Sequence, residues 1–248
     1  WPKKNWRFKF FEDESLDEKI LLKIGDSVES DKWIAKAEWI DPSMLRNYVS
    51  YNLWGDIVES RGDEPKLEVE HGLQNDQGKT GAQGYPTTYV SQITVNDEHY
   101  GIAILLMGHE PNNFNIDKNN PNHIYMEFDA RGGYTPIKTW EKFSSEGIGQ
   151  WIDGYYPKNE DFTEEHKQAI DRLGDFINGD LENFKDNFDN YLDKTNMIDM
   201  LLFLEMVYDW DAVAQDVEIV TYALERWWFL PGAEDTTFGM NWEGNGIR

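Results

Sequence analysis

The sequence predicts an α+β fold, with antiparallel strands gathered in the N-terminal half and a more helical C-terminal half. Three observations carry this. Short alternating runs with turn residues between them open the chain. Apolar residues at helical spacing appear at 45–57 and again between 161 and 208. Valine-, isoleucine- and tryptophan-rich runs return near the end, at 217–222 and 227–230.

Taken in order, residues 6–11 alternate Trp6, Phe8 and Phe10 with Arg7 and Lys9 and predict a strand. Leu21, Leu22 and Ile24 predict a second, closed by Gly25-Asp26, and 32–39 a third, with Trp33, Ala35, Ala37 and Trp39 on one side. Asp41-Pro42 reads as a helix opening, Asp as N-cap and Pro at the first helical position. Leu45, Val49, Leu53 and Ile57 then mark the buried face, and the helix stops near Arg61-Gly62. Residues 62–84 are polar, hold five glycines and predict a long loop. Within it, Gly78-Lys79-Thr80 resembles the end of a phosphate loop, but the first glycine of that motif would fall on Leu73 and no buried strand precedes it.

Strands are predicted again at 87–95 and 101–107, joined through Asn96-Asp97-Glu98 as a hairpin. An Asn-rich connector, 108–123, leads to a strand marked by Ile124, Met126 and Phe128. Thr163 is the predicted cap of a helix burying Ile170, Leu173 and Ile177, and Phe184, Phe188 and Tyr191 mark another. A helix over 196–208 delivers the acidic turn Asp209-Trp210-Asp211. The strand at 227–230 stops at Pro231-Gly232 and releases a polar loop, Glu234-Asp235-Thr236-Thr237. Nothing repeats at a fixed period, and no linker divides the chain, so one domain over 1–248 is expected.

Charge narrows the partners. Asp and Glu number 47 against 23 Lys and Arg, a net charge of −24, which disfavours phosphate backbones and anionic lipid. No nucleic acid and no membrane insertion are expected. The chain has no Cys, which removes disulfides, thiol catalysis and thiolate metal sites. No 18-residue apolar run exists, and WPKKNWRFKFF lacks the hydrophobic region of a signal peptide, so a soluble protein made in a cytoplasm is expected. Eleven Trp, twelve Tyr and thirteen Phe supply core, with a surplus for subunit contacts or carbohydrate stacking.

Carboxylates at the end of a helix and the end of a neighbouring strand can converge on one cation, the arrangement phosphoryl transfer uses. Asp209, Asp211, Asp216 and Asp235 are the candidates, against the plainer reading of a solvated acidic face. The histidines, at 71, 99, 109, 123 and 166, show no ligand spacing, although His109, Glu110 and His123 could approach one metal after folding. Trp227, Trp228 and Trp242 are the candidates for a sugar platform.

Four segments, 32–61, 81–105, 119–130 and 196–244, with DPSMLRN and WWFLPGAEDTTFG the most specific parts, resemble the CotH (spore coat protein H) family of kinase-like proteins. The chain is most similar to a divergent branch found in tail and baseplate proteins of phages of Gram-positive bacteria. The resemblance implies a two-lobed, atypical protein-kinase-like fold, with approximate lobes 1–135 and 136–248 and a cleft near the C-terminal stretch. It also implies roles. Asp211 would be the catalytic Asp if the protein is active, with Asp216 five residues on where the family tends to carry Asn. Lys36, by strand position, would bind the nucleotide. The family's late motif resembles P-W/Y-D-x-D-x-T-F-G, and here its first Asp is Ala233 while the second is Asp235. Asp211, Asp216 and Asp235 are thus the expected metal ligands.

The implied function is a structural or interaction component of a phage virion on a degenerate kinase-like fold, a pseudokinase. No cofactor is expected, or Mg and ATP if the site survives. Other phage structural proteins, further copies of the chain and host cell-wall glycan are the expected partners, and the virion the expected location. Two alternatives stay open: an active Mg–ATP-dependent protein kinase, and a cell-wall carbohydrate-binding module.

Overall fold

Trp33 and Ala35 are completely buried while Lys32 is exposed, the period of two that a strand with one covered face requires. The computed structural model describes residues 4–60, 83–129, 140–209, 212–213, 215–240 and 243. It divides them into two compact units: one runs to Asn115 and resumes at Glu234, the other spans Ile116 to Ala233. The expected loop at 62–84 lies outside the described residues except for Gln83 and Gly84.

In the first unit, β1 (Trp6–Lys9), β2 (Lys32–Lys36), β3 (Thr88–Val95) and β4 (Glu98–Met107) form an antiparallel sheet in the order β1-β2-β4-β3. Trp33 sits opposite Met107 and Tyr89 opposite Leu105. Val28, Trp33 and Met107 form a buried cluster, with Phe8, Phe10, Ile24, Tyr89 and Leu105 packed around it. Asn96 and Asp97 both have positive φ, 51° and 65°, so they turn β3 into β4 with the twist that tight hairpins favour. The strand expected at 21–24 reduces to one bridge, Leu22 to Ser30.

Helix α1 (Arg46–Glu59) departs from expectation at its start and in its face. It begins at Arg46, so Pro42 is not its first residue. Asp41 still caps it from a distance, its carboxylate accepting from the N–H groups of Ser43, Leu45 and Arg46 at 2.8–2.9 Å. The buried residues are Asn47, Ser50, Tyr51, Trp54, Gly55 and Val58. Leu45 and Val49 are exposed, and Leu53 and Ile57 only half-buried.

The second unit carries β5 (Ile124–Phe128), β6 (Ile152–Tyr156), β7 (Val217–Thr221) and β8 (Trp227–Leu230), antiparallel in the order β6-β5-β7-β8. Every residue of β7 and β8 is buried, so these strands are covered on both faces. Helices α2 (Glu164–Ile177), α3 (Leu181–Tyr191) and α4 (Lys194–Val207) complete the unit. Thr163 caps α2 as expected, accepting from His166 N–H, while His166 Nδ1 accepts from Thr163 N–H. Ile170 and Leu173 are fully buried. Asn196, also fully buried, donates to the Phe229 carbonyl at 2.9 Å and accepts from its N–H at 2.8 Å, fixing α4 to β8. No helix among the described residues is long and apolar enough to cross a membrane.

Candidate functional site

Within the first unit, polar side chains that are distant in sequence meet beside the end of β2. Lys36 is its last residue. The backbone then turns through Glu38, whose φ of 49° lies in the left-handed region and ends the strand at a cost of about 1 kcal/mol or more. Asn47, in the first turn of α1, is completely buried and works with all its amide atoms. Its Nδ2 donates to Glu38 Oε2 at 2.8 Å. Its Oδ1 accepts from the Glu234 N–H at 3.0 Å and from Lys36 Nζ at 3.4 Å. Lys36 Nζ also lies 3.4 Å from Asp235 Oδ2. The loop 234–237 is held further by Ser50 Oγ donating to Thr237 Oγ1 at 3.2 Å and Arg46 Nε donating to the Thr237 carbonyl at 2.8 Å. The two polar residues on the buried face of α1 are therefore there to seat this loop.

Electrostatics separates the acids of this site. Burial pushes the Glu38 carboxyl up, with Asp235 and Asp41 adding to the rise, against the downward pull of Lys36 and the Asn47 amide. Burial alone would also raise Asp41. The hydrogen bonds from the Arg46 N–H and from Ser43, with the paired Arg46 guanidinium, outweigh it and hold Asp41 below the usual carboxylate range. One ammonium and one carboxylate, each about a quarter exposed, thus form an ion pair beside a buried carboxyl, and an external ion could displace that pair.

The second unit brings a different set together. Among its described residues, Glu127, Asp129 and Asp216 each place a carboxylate oxygen within 4.8 Å of the others. Glu127 and Asp129 are two residues apart at the end of β5, so they share a face. Asp216 precedes β7 with φ 52°, a left-handed conformation that Asp tolerates. Its turn lies against Gly232, where a Cβ would fall 1.5 Å from the Asp216 carbonyl oxygen. No side chain fits at 232 without a shift of the Asp216 backbone. Tyr155 donates its hydroxyl to Glu127, and Tyr125 donates to Glu218 Oε2 at 2.6 Å. Three hard oxygen donors at this spacing suit Mg²⁺ or Ca²⁺.

Of the residues singled out in sequence, Lys36 and Asp235 are thus brought together in the first unit, and Asp216 joins two acids in the second. Asp211 and Trp242 lie outside the described residues. Asp209 is buried, and its Oδ1 accepts from the Ala212 N–H at 3.2 Å, a local turn contact. The histidine reading finds ordinary partners. Glu110 is buried and accepts from Ser30 Oγ at 3.1 Å, and His123 Nδ1 accepts from the Asp117 N–H at 2.9 Å, burial pushing that imidazole down. Trp227 and Trp228 are buried in β8, at 1% and 4% exposed, and both contribute to the wall of a cavity in this unit. Sequence reasoning missed Glu127 and Asp129, for which the signal was their i, i+2 spacing at a strand end. It missed Asn47 without any signal, because an Asn in a helix reads as surface.

A family model described as CotH kinase protein matches residues 1–247. No curated protein matches the chain.

Proposed function

Because the chain belongs to the CotH kinase family, we propose that it is a structural or interaction component of a phage particle, at the baseplate or tail tip. In this reading the two-lobed kinase-like fold is retained and phosphoryl transfer is lost. The Lys36–Asp235 pair carries the second half. The amine that would meet nucleotide phosphates and the carboxylate surviving from the late motif neutralise each other at 3.4 Å, and the motif's other Asp is Ala233. Phosphoryl transfer relies almost entirely on positioned charge, so a site that has lost one carboxylate and internalised another is poorly equipped for it. The particle assignment is supported by the similarity of four segments to the phage branch of the family. The aromatic surplus favours broad contacts with neighbouring subunits or with further copies of the chain.

Calorimetry with ATP in the presence and absence of Mg²⁺ tests the loss of activity; no heat from ATP beyond that of Mg²⁺ alone, at millimolar nucleotide, is the expected result. Antibody raised against the chain should label the tail tip of particles in micrographs, and particles that stay unlabelled would count against the assignment. The acidic trio favours a second reading, a working Mg²⁺-dependent kinase. Glu127, Asp129 and Asp216 would hold the ion, which supplies charge neutralisation for phosphate oxygens. ATP turnover by the unaltered chain, abolished by Asp216→Asn, would decide for that reading.

A further inference from the structure

The second unit contains an open cavity of about 600 Å³, unrelated to either acidic group, between α2, α3 and the turn that joins β7 to β8. That volume is in the range of small-molecule sites. Its wall is donor-rich, which is unusual for a chain of net charge −24. Arg172 from α2 and Arg226 from the turn both line it. Each guanidinium is pinned by one backbone carbonyl: Arg172 Nη2 donates to Leu224 at 3.1 Å, and Arg226 Nη2 to Asp189 at 2.7 Å. Among the described residues neither pairs with a carboxylate, so the remaining N–H groups of both forks are available to an outside anion.

Two polar side chains beside the arginines set the ligand. Asn190 donates to Asn187 Oδ1 at 3.1 Å, which leaves its own carbonyl oxygen to accept, and Glu225 adds a carboxylate on the same wall. Two acceptors beside two guanidiniums suit a molecule with hydroxyls at one end and an anion at the other. A simple anion would leave most of the volume unfilled.

We infer that this cavity binds a sugar phosphate, its phosphate held by Arg172 and Arg226 and its hydroxyls by Asn190 and Glu225. The arginines recognise phosphate by their planar fork. This site is independent of the function proposed above.

The test is calorimetry of the full chain at low salt with glucose 6-phosphate, glucose and inorganic phosphate. Saturable binding of glucose 6-phosphate is expected, with affinity about tenfold lower for each of Arg172→Gln and Arg226→Gln and no binding of glucose. The arginines also tie the turn to the helices, so Asn190→Asp serves as the variant that spares the framework. It should weaken binding by adding a negative charge at an exposed position, with the melting temperature unchanged. Absence of binding at about 10 mM ligand, or binding that all three variants leave intact, would overturn the site. Equal affinity for inorganic phosphate would overturn the sugar part.

Discussion

Lys36 Nζ lies 3.4 Å from Asp235 Oδ2 and 3.4 Å from Asn47 Oδ1, so one ammonium ties the end of β2 to α1 and to the 234–237 loop. The two charged side chains remain about a quarter exposed, at 21% and 26%, and water screens their attraction. Their coupling in a double-mutant cycle of Lys36→Met and Asp235→Asn should therefore be about 0.2–1 kcal/mol. The lysine variant should be the more damaging of the two. It removes the cation that lowers the buried Glu38 as well as the partner of Asp235. Urea unfolding of the four proteins checks both statements, and a lysine variant as stable as wild type would show that the pair is incidental.

Glu38 gives a prediction about pH. Its folded-state pKa is raised above the ordinary 4.5 by burial, so ionising it disfavours the folded form. Its contribution is most favourable below the unfolded pKa, near 4.5, and is lost as pH rises through the folded value. Glu38→Gln keeps an oxygen to accept from Asn47 and removes the charge. The variant should melt above wild type at pH 8, and the gap should close as pH falls toward 4.5. A gap that widens on acidification would mean that Glu38 is held ionised.

Helix α1 predicts an order of damage opposite to the one its apolar spacing suggests. Trp54 is 1% exposed, and Trp54→Ala should cost about 3–5 kcal/mol by leaving a cavity. Leu53 is only half-buried, so Leu53→Ala should cost well under the 2 kcal/mol or more expected for a core leucine. Chemical denaturation of the two variants side by side decides it.

That reversal shows where the sequence was legible. Strands with clean patterning were found, because β2 alternates buried with less buried residues, β3 alternates half-buried with exposed ones, β4 ends in an apolar run, and β5 is apolar at all but Glu127. Thr163 announced α2 through its own cap. The face of α1 was misread because its buried positions include Asn47 and Ser50, whose partners, Glu234 and Thr237, lie 187 residues away. No local pattern reports such a partner. β6 was missed for a different reason: an edge strand of five residues, Ile152–Tyr156, with Asp153 and Gly154 inside it, has too little alternation to register. The late motif exposed Asp235 and the lost Asp at 233, whereas Glu127 and Asp129 become a pair with Asp216 only once β5 and β7 are aligned.

The acidic trio yields the last prediction, and the difficulty is to separate a site from a general charge effect. A chain of net charge −24 is stabilised by any salt, since counter-ions relieve its self-repulsion. A bound ion behaves differently: it stabilises by RT ln(1 + [L]/Kd), saturably. If Glu127, Asp129 and Asp216, with oxygens within 4.8 Å of one another, hold Mg²⁺ with a Kd near 1 mM, then 10 mM should add about 1.4 kcal/mol. The comparison is made against NaCl of equal ionic strength, so only the specific part is counted. Asp129→Asn removes one ligand while changing the net charge only from −24 to about −23, and should abolish the specific part while leaving the general part in place. ATP added with Mg²⁺ should raise the melting temperature no further in wild type, because position 233 is Ala. Ala233→Asp should restore an ATP-dependent increment. An increment already present in wild type, and lost in Asp216→Asn, would mean that the nucleotide site survived the change at 233.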